Sequence, residues 1–173
     1  MVAPRAAVPP APAAPEAAAA PVRVLVVDDS AYMRFTIGKH LAETPGLTVV
    51  GAARDGREAL ELLPRLQPDV ITLDVEMPRL DGLSTLREIM ATDPRPVVML
   101  SSLTTEGARE TVQALTLGAV DFVAKPAAKA NMQAVMEEVV AKVRAAARAR
   151  VRPAPRQAAP LPEPTAPDRA KST

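Results

Sequence analysis

Apolar runs alternate along the chain with stretches of helical periodicity. Val22-Arg23-Val24-Leu25-Val26-Val27 is β-branched and apolar and reads as a buried parallel strand that ends in Asp28-Asp29-Ser30. Met33, Ile37 and Leu41 then recur at helical spacing, which predicts a helix to about Glu43, stopped by Thr44-Pro45-Gly46. Leu47 to Ala53 is a second strand, with Arg54-Asp55-Gly56 as its turn. Arg57 to Leu66 is a second helix that buries Ala59, Leu62, Leu63 and Leu66. Pro64 falls inside it and should kink or shorten its last turn, because proline has no backbone donor.

The third strand, Val70-Ile71-Thr72-Leu73, ends at Asp74. Leu83, Leu86, Ile89 and Met90 mark a third helix to about Thr92. Val97 to Leu100 is a fourth strand, ending in Ser101-Ser102. Thr104 or Thr105 can cap the helix that runs to about Leu117, and Gly118 ends it. Ala119 to Val123 is a fifth strand, followed by Ala124-Lys125-Pro126. A last helix spans about Lys129 to Arg148 and buries Met132, Val135, Met136, Val139 and Val143.

Five strand–helix units in series predict an α/β fold with a parallel sheet covered on both faces. Right-handed crossovers and the size favour the flavodoxin-like, doubly wound (βα)5 order 2-1-3-4-5. Its switch point lies between the first and third strands, which end in Asp28-Asp29 and Asp74.

Composition sets the limits of the folded unit. Residues 1-21 contain ten Ala, six Pro and two charges, and residues 153-173 hold another six Pro. Such tails bury too little apolar surface to offset ordering entropy. The expected organisation is therefore a disordered tail over 1-21, a domain over 22-148, and a disordered Pro-rich linker or tail over 149-173. Net charge is +1 and aromatics are 2%, so no nucleic-acid partner is expected. With no Cys there is neither a disulfide framework nor a thiolate metal site, which fits a cytoplasmic protein. Prolines interrupt any signal-peptide core, and no 18-residue apolar run is present to span a membrane.

The polar residues at the strand ends carry the chemistry. Asp28, Asp29, Asp74, Ser101 and Lys125 converge on one rim in this fold. Crowded carboxylates drive one of their number to protonate unless a cation joins them. Mg2+ suits the need, with Asp28, Asp29 and Asp74 as ligands and the backbone carbonyl of Glu76 as a further one. Asp74 then faces an electrophilic phosphoryl group and can form an aspartyl-phosphate. Lys125 and Ser101 can reach two of the phosphoryl oxygens. Taken singly, each element has a plainer reading. Asp28-Asp29-Ser30 can be a helix N-cap, Asp74 a turn acid, and Lys125-Pro126 a solvated loop. Placed together at successive strand ends, they make a site.

Residues 22 to 145 resemble the receiver domain of two-component response regulators. The resemblance rests on Val27-Asp28-Asp29-Ser30, Leu73-Asp74-Val75-Glu76-Met77-Pro78 with Asp81-Gly82, Val97 to Ser101, and Gly118 to Pro126. It implies phosphorelay from a histidine kinase to Asp74, Mg2+ on Asp28 and Asp29, and Ser101 and Lys125 as the phosphate-sensing pair. Phe122 would be the aromatic switch, and a downstream partner would dock on the surface of the fourth helix, fifth strand and fifth helix. The Lys125-Pro126 bond is often cis in such domains.

The same segments, with Met99-Leu100-Ser101-Ser102-Leu103-Thr104, look like the regulatory half of chemotaxis protein-glutamate methylesterases. That resemblance implies a sensor kinase of the chemotaxis type. Its esterase needs a Ser/His/Asp triad. The single histidine here, His40, lies on the first helix, so the resemblance covers the regulator and not the enzyme. This chain reads as a receiver, with the alternative that it is the regulatory fragment of a methylesterase/deamidase. A metal-dependent phosphohydrolase with Glu76 as its acid/base is a further rival. A nucleotide-binding module is disfavoured by the absence of a Gly-rich loop after the first strand. His40 as a phosphotransfer residue, and the basic run Lys142, Arg144, Arg148, Arg150, Arg152 and Arg156 as an anionic docking face, have plainer readings as a packed side chain and a solvated helix surface.

Overall fold

The computed structural model describes residues 20–102 and 104–149. Five parallel strands, β1 (Val22–Val27), β2 (Leu47–Ala53), β3 (Val70–Asp74), β4 (Val97–Ser101) and β5 (Asp121–Ala124), form one sheet in the order β2-β1-β3-β4-β5. Helices α1 (Ala31–Ala42), α2 (Gly56–Leu66), α3 (Gly82–Thr92), α4 (Thr105–Leu117) and α5 (Met132–Ala147) connect and flank the strands. The flavodoxin-like arrangement expected from the alternation is the one observed.

Alternation along each strand divides the core in two. Leu25, Val27, Ile71, Leu73, Val97 and Met99 face α2, α3 and α4, packing on Ala59, Leu63, Leu86, Ile89 and Ala114. Val24, Val26, Val70, Val98, Leu100 and Val123 face α1 and α5, packing on Ile37, Leu41, Met136, Val139 and Val143. The central strands are covered on both sides. That explains their unbroken apolar runs, each fully buried side chain contributing about 1.5–3 kcal/mol.

Several expected boundaries move for local reasons. α2 begins at Gly56, one residue early, because Asp55 caps it by accepting the Glu58 N–H at 2.9 Å. Pro64 does not shorten α2, which runs on to Leu66. Buried Leu63 and half-buried Leu66 bracket it against the core, and tertiary packing outweighs the lost backbone bond. Leu62 and Leu66 are half-buried rather than buried, as are Met132 and Val135 in α5. β5 starts at Asp121 because Gly118 and Ala119 donate back to Leu115 and Ala114 and close α4. A 3-10 turn, Lys129–Asn131, precedes α5. Thr104, not Thr105, caps α4, accepting the Gly107 N–H at 2.9 Å. The Lys125–Pro126 bond is trans: the described residues contain no cis peptide. The tails expected to be disordered lie outside the described residues, apart from positions 20, 21 and 149. No described helix is long and apolar enough to cross a membrane.

Candidate functional site

Strand register brings the expected residues together. Val27 lies beside Leu73, so Asp28 follows at the level of Asp74. Asp74 pairs with Leu100, and Ser101 pairs with Ala124, so Ser101 and Lys125 complete the row. The Lys125 N–H donates to the Ser101 carbonyl at 2.7 Å, fixing where the lysine leaves the sheet. Cap duty falls elsewhere. Ser30 caps α1, and Asp81 caps α3 by accepting the Ser84 N–H at 2.7 Å. Asp29 is therefore not consumed by the plainer reading, while Asp28 and Asp74 each give one oxygen to a local turn, accepting the Ser30 and Glu76 N–H groups, and keep the other for Lys125.

Asp28, Asp29 and Asp74 each place a carboxylate oxygen within 4.8 Å of the others. Asp28 and Asp74 are buried, whereas Asp29 is exposed. Asp28 Oδ1 accepts the Ser30 N–H at 2.9 Å, and Asp74 Oδ1 accepts the Glu76 N–H at 3.2 Å. The other oxygens, Asp28 Oδ2 and Asp74 Oδ2, are buried and meet no polar group besides one shared lysine. Their compensation is the Lys125 ammonium, 3.0 Å from the first and 2.9 Å from the second. Two under-satisfied buried carboxylate oxygens beside a third, solvated carboxylate form a donor set suited to a hard divalent ion that keeps some of its waters.

Burial pushes the Asp74 carboxyl up to about 7, and the nearby Asp28 charge adds to this, although Lys125 and the Glu76 N–H pull the other way. Burial alone would lower Lys125, but Asp74 and Asp28 outweigh it and leave the ammonium raised. Arg34 Nη1 donates to the carbonyls of Asp28 at 2.8 Å and Asp29 at 3.3 Å, holding the acidic turn from behind.

The backbone around Asp74 is tightly closed. The Gly82 N–H donates to the Val75 carbonyl at 2.9 Å. A Cβ at Gly82 would lie 2.1 Å from the Asp74 carbonyl oxygen, so only glycine lets α3 begin there. Beside the acids opens a groove of about 700 Å³, lined by Asp29, Glu76, Met77, Asp81, Arg87 and Glu110 among others.

Ser101 is buried and its hydroxyl is 3.3 Å from Thr111 Oγ1. Thr111 gives its one proton to the Gly107 carbonyl, so Ser101 is the donor in that pair. Phe122 is half-buried against the core under α4. The Lys142 ammonium donates to the Phe122 carbonyl and sits 4.9 Å from the ring centroid.

Two other candidates lie away from this rim. Half-buried His40 borders a groove between α1 and α5. Lys142 pairs with Asp121 and Glu138, and Arg144 donates to the Pro45 carbonyl, so neither is part of a free basic face. Arg150, Arg152 and Arg156 fall outside the described residues. Sequence reasoning missed Arg34, Thr111 and the Asp55–Arg79 pair. The first two lie one helical turn from residues already singled out or across from them. The third joins two loops 24 residues apart, which no local spacing reveals.

Comparison with known proteins identifies the family and the fold. The model of the response regulator receiver domain family matches residues 24–137. A protein-glutamate methylesterase/protein-glutamine glutaminase of Symbiobacterium thermophilum is 62% identical over 112 residues, 65% of this chain and 31% of that protein. One from Geobacillus kaustophilus is 59% identical over 111 residues, 64% of this chain and 32% of that protein. The chain thus spans about a third of the length of these relatives, matching their receiver portion. Among solved structures, the response regulator domain of Thermotoga maritima CheB superposes with a TM-score of 0.70 at 46% identity, covering 75% of this chain and 98% of that one. The CheX–CheY–BeF3–Mg2+ complex of Borrelia burgdorferi gives 0.58 at 31% identity, covering 69% and 90%. From the family match and the site it encloses, the chain belongs to the response regulator receiver family, as a receiver domain of the CheB type.

Proposed function

We propose that Asp74 is the phosphoacceptor of a chemotaxis-type phosphorelay and takes its phosphoryl group from a sensor histidine kinase in the cytoplasm. The observation that carries this reading is the buried Asp74 carboxylate, with Asp28 and Asp29 within 4.8 Å and Lys125 Nζ at 2.9 Å. Mg2+ would be held by Asp28, Asp29, Asp74 and the Glu76 backbone carbonyl, and when bound it neutralises charge on the phosphoryl oxygens. The under-satisfied Oδ2 atoms of Asp28 and Asp74 support that assignment, as does the Mg2+ in the related CheY complex.

The residues of the chain divide the work. A deprotonated Asp74 oxygen attacks phosphorus in line with the phosphohistidine P–N bond. That bond breaks, and its electron pair leaves on the imidazole nitrogen. Lys125 follows the charge from the carboxylate onto a phosphoryl oxygen. Ser101 exchanges Thr111 for another phosphoryl oxygen, and Phe122, on the neighbouring strand, moves inward as it does so. The surface of α4, β5 and α5 is where that change would reach a partner. Val112 and Leu115 already expose apolar area on α4. By the names of the relatives, the controlled output is protein-glutamate methylesterase and glutaminase activity in a longer protein.

The decisive experiment is phosphorylation with a small phosphodonor and Mg2+, comparing the native protein with Asp74→Asn. Label that alkali and hydroxylamine release, as from an acyl phosphate, is expected on the native protein and none on the variant. Equal labelling of both would sink the assignment.

A further inference from the structure

The loop that follows Asp74 carries a strained turn. The Leu80 N–H donates to the Pro78 carbonyl at 2.9 Å, and Arg79, at the centre of that i→i+2 bond, has φ +69°. A γ-turn with positive φ at its centre is the rarer and more strained kind, and arginine has none of glycine's freedom there. Such a conformation persists only where the surroundings over-determine it.

The surroundings here are the first turn of α2. The Arg79 guanidinium donates to Asp55 Oδ2, while Asp55 Oδ1 is occupied in capping α2. The Asp55 carboxyl is 5% exposed and the arginine 57%, so a buried anion anchors a cation that lies over it. Next to Asp55, Gly56 lets the loop come close: a Cβ there would lie 3.0 Å from the Leu80 carbonyl oxygen. On the other side Thr85 Oγ1 donates to the Asp81 carbonyl at 2.7 Å, tying the end of the loop to α3. Glu76, three residues before Arg79, is in the same closed loop, which the Gly82-to-Val75 bond seals.

We propose that Asp55 and Arg79 are positioning residues: their ion pair holds the strained β3–α3 loop against α2 and so aims the Glu76 backbone carbonyl at the cation bound beside Asp74. The cation in this statement rests on the function proposed above; the clamp on the loop does not. The pair acts through the backbone and touches no reacting atom. It also explains how an arginine is accommodated where φ alone would favour glycine.

Asp55→Asn isolates the ion pair, because asparagine caps helices about as well as aspartate. Arg79→Ala and Arg79→Gly separate side chain from backbone, since glycine relieves the turn and alanine does not. Three readouts apply to the full chain: amide hydrogen exchange from Glu76 to Leu80 without metal, Mg2+ affinity by calorimetry, and thermal midpoint. Each of D55N, R79A and R79G should speed exchange in that loop and weaken Mg2+ binding by about three- to tenfold. The double variant D55N/R79A should be no worse than the singles, as for one shared interaction. R79K should recover part of the affinity. Native exchange in D55N and R79A would overturn the clamp, as would additive effects in the double variant. So would an R79G that behaves as the native protein. Faster exchange in the loop with unchanged Mg2+ affinity would overturn the aiming of Glu76. If Asp74→Asn were labelled as well as native protein, the phosphoacceptor reading would fail, while the metal-free exchange data would still judge the clamp.

Discussion

Lys125 Nζ lies 2.9 Å from Asp74 Oδ2 and bridges it to Asp28 Oδ2 at 3.0 Å, so one ammonium balances two buried carboxylates from different strands. Lys125→Met keeps most of the stem and removes that charge. Breaking a buried pair costs more than the pair contributes, because the partner is left uncompensated. The metal-free variant should lose about 2–4 kcal/mol at about pH 8. The loss should shrink at about pH 5.5, where Asp74 is already protonated. Urea unfolding at the two pH values checks this, and an equal loss at both would contradict it.

Asp74 also makes stability depend on pH in an unusual direction. Its pKa in the folded chain, about 7, exceeds the ordinary 3.8 of the free group. Between these values the native state holds more protons than the unfolded state, so stability falls as pH rises. The contribution is complete below the ordinary carboxylate range and is lost as pH passes through about 7, an effect on the order of a few kcal/mol. Bound metal requires the deprotonated form. Mg2+ affinity should therefore drop about tenfold per pH unit below about 7. Calorimetric titrations from pH 5.5 to pH 8 test both the sign and the midpoint.

Two glycines at helix starts should differ in what they tolerate. At Gly82 an added Cβ meets backbone, 2.1 Å from the Asp74 oxygen and 2.7 Å from the Val75 Cα, and neither can turn aside. At Gly56 its nearest neighbour is the Thr85 hydroxyl at 1.9 Å, a side-chain atom that moves aside only by giving up its bond to the Asp81 carbonyl. Gly82→Ala should cost about 3 kcal/mol or more, and Gly56→Ala less than that. Gly82→Ala should also abolish phosphorylation, since the backbone that must move carries Asp74. Thermal unfolding with phosphodonor labelling gives both results.

Gly38 offers the opposite case. It sits inside α1 with nothing within 4 Å of an added Cβ. Gly38→Ala should stabilise the domain by about 0.5–1 kcal/mol by restricting the unfolded chain. Labelling of Asp74 should not change, and a lower thermal midpoint would show that the site is less open than it looks.

Much of the site could be read in order along the chain because each strand ends where its apolar run ends. Asp28, Asp74, Ser101 and Lys125 stand at such ends, and a parallel sheet brings its carboxyl ends to one edge. The limits of legibility lie where a residue's partner is remote in sequence. Thr111 could not be matched to Ser101, because only packing of α4 on β4 places the two hydroxyls 3.3 Å apart. Pro64 was expected to kink or shorten the last turn of α2 because local propensity does not include the core contacts of Leu63 and Leu66.

The sequence by itself determined the alternation of strands and helices, the parallel sheet, and the set of polar residues gathered on one rim. Periodicity and strand ends are local properties, and burial on both faces follows from them. Only the tertiary structure decided the charge state and constraint of that rim. Desolvation raises Asp74, Lys125 divides its charge between Asp74 and Asp28, and Asp55 in one loop restrains Arg79 in another. These depend on distances between residues far apart in the chain and on the low dielectric that folding creates around them.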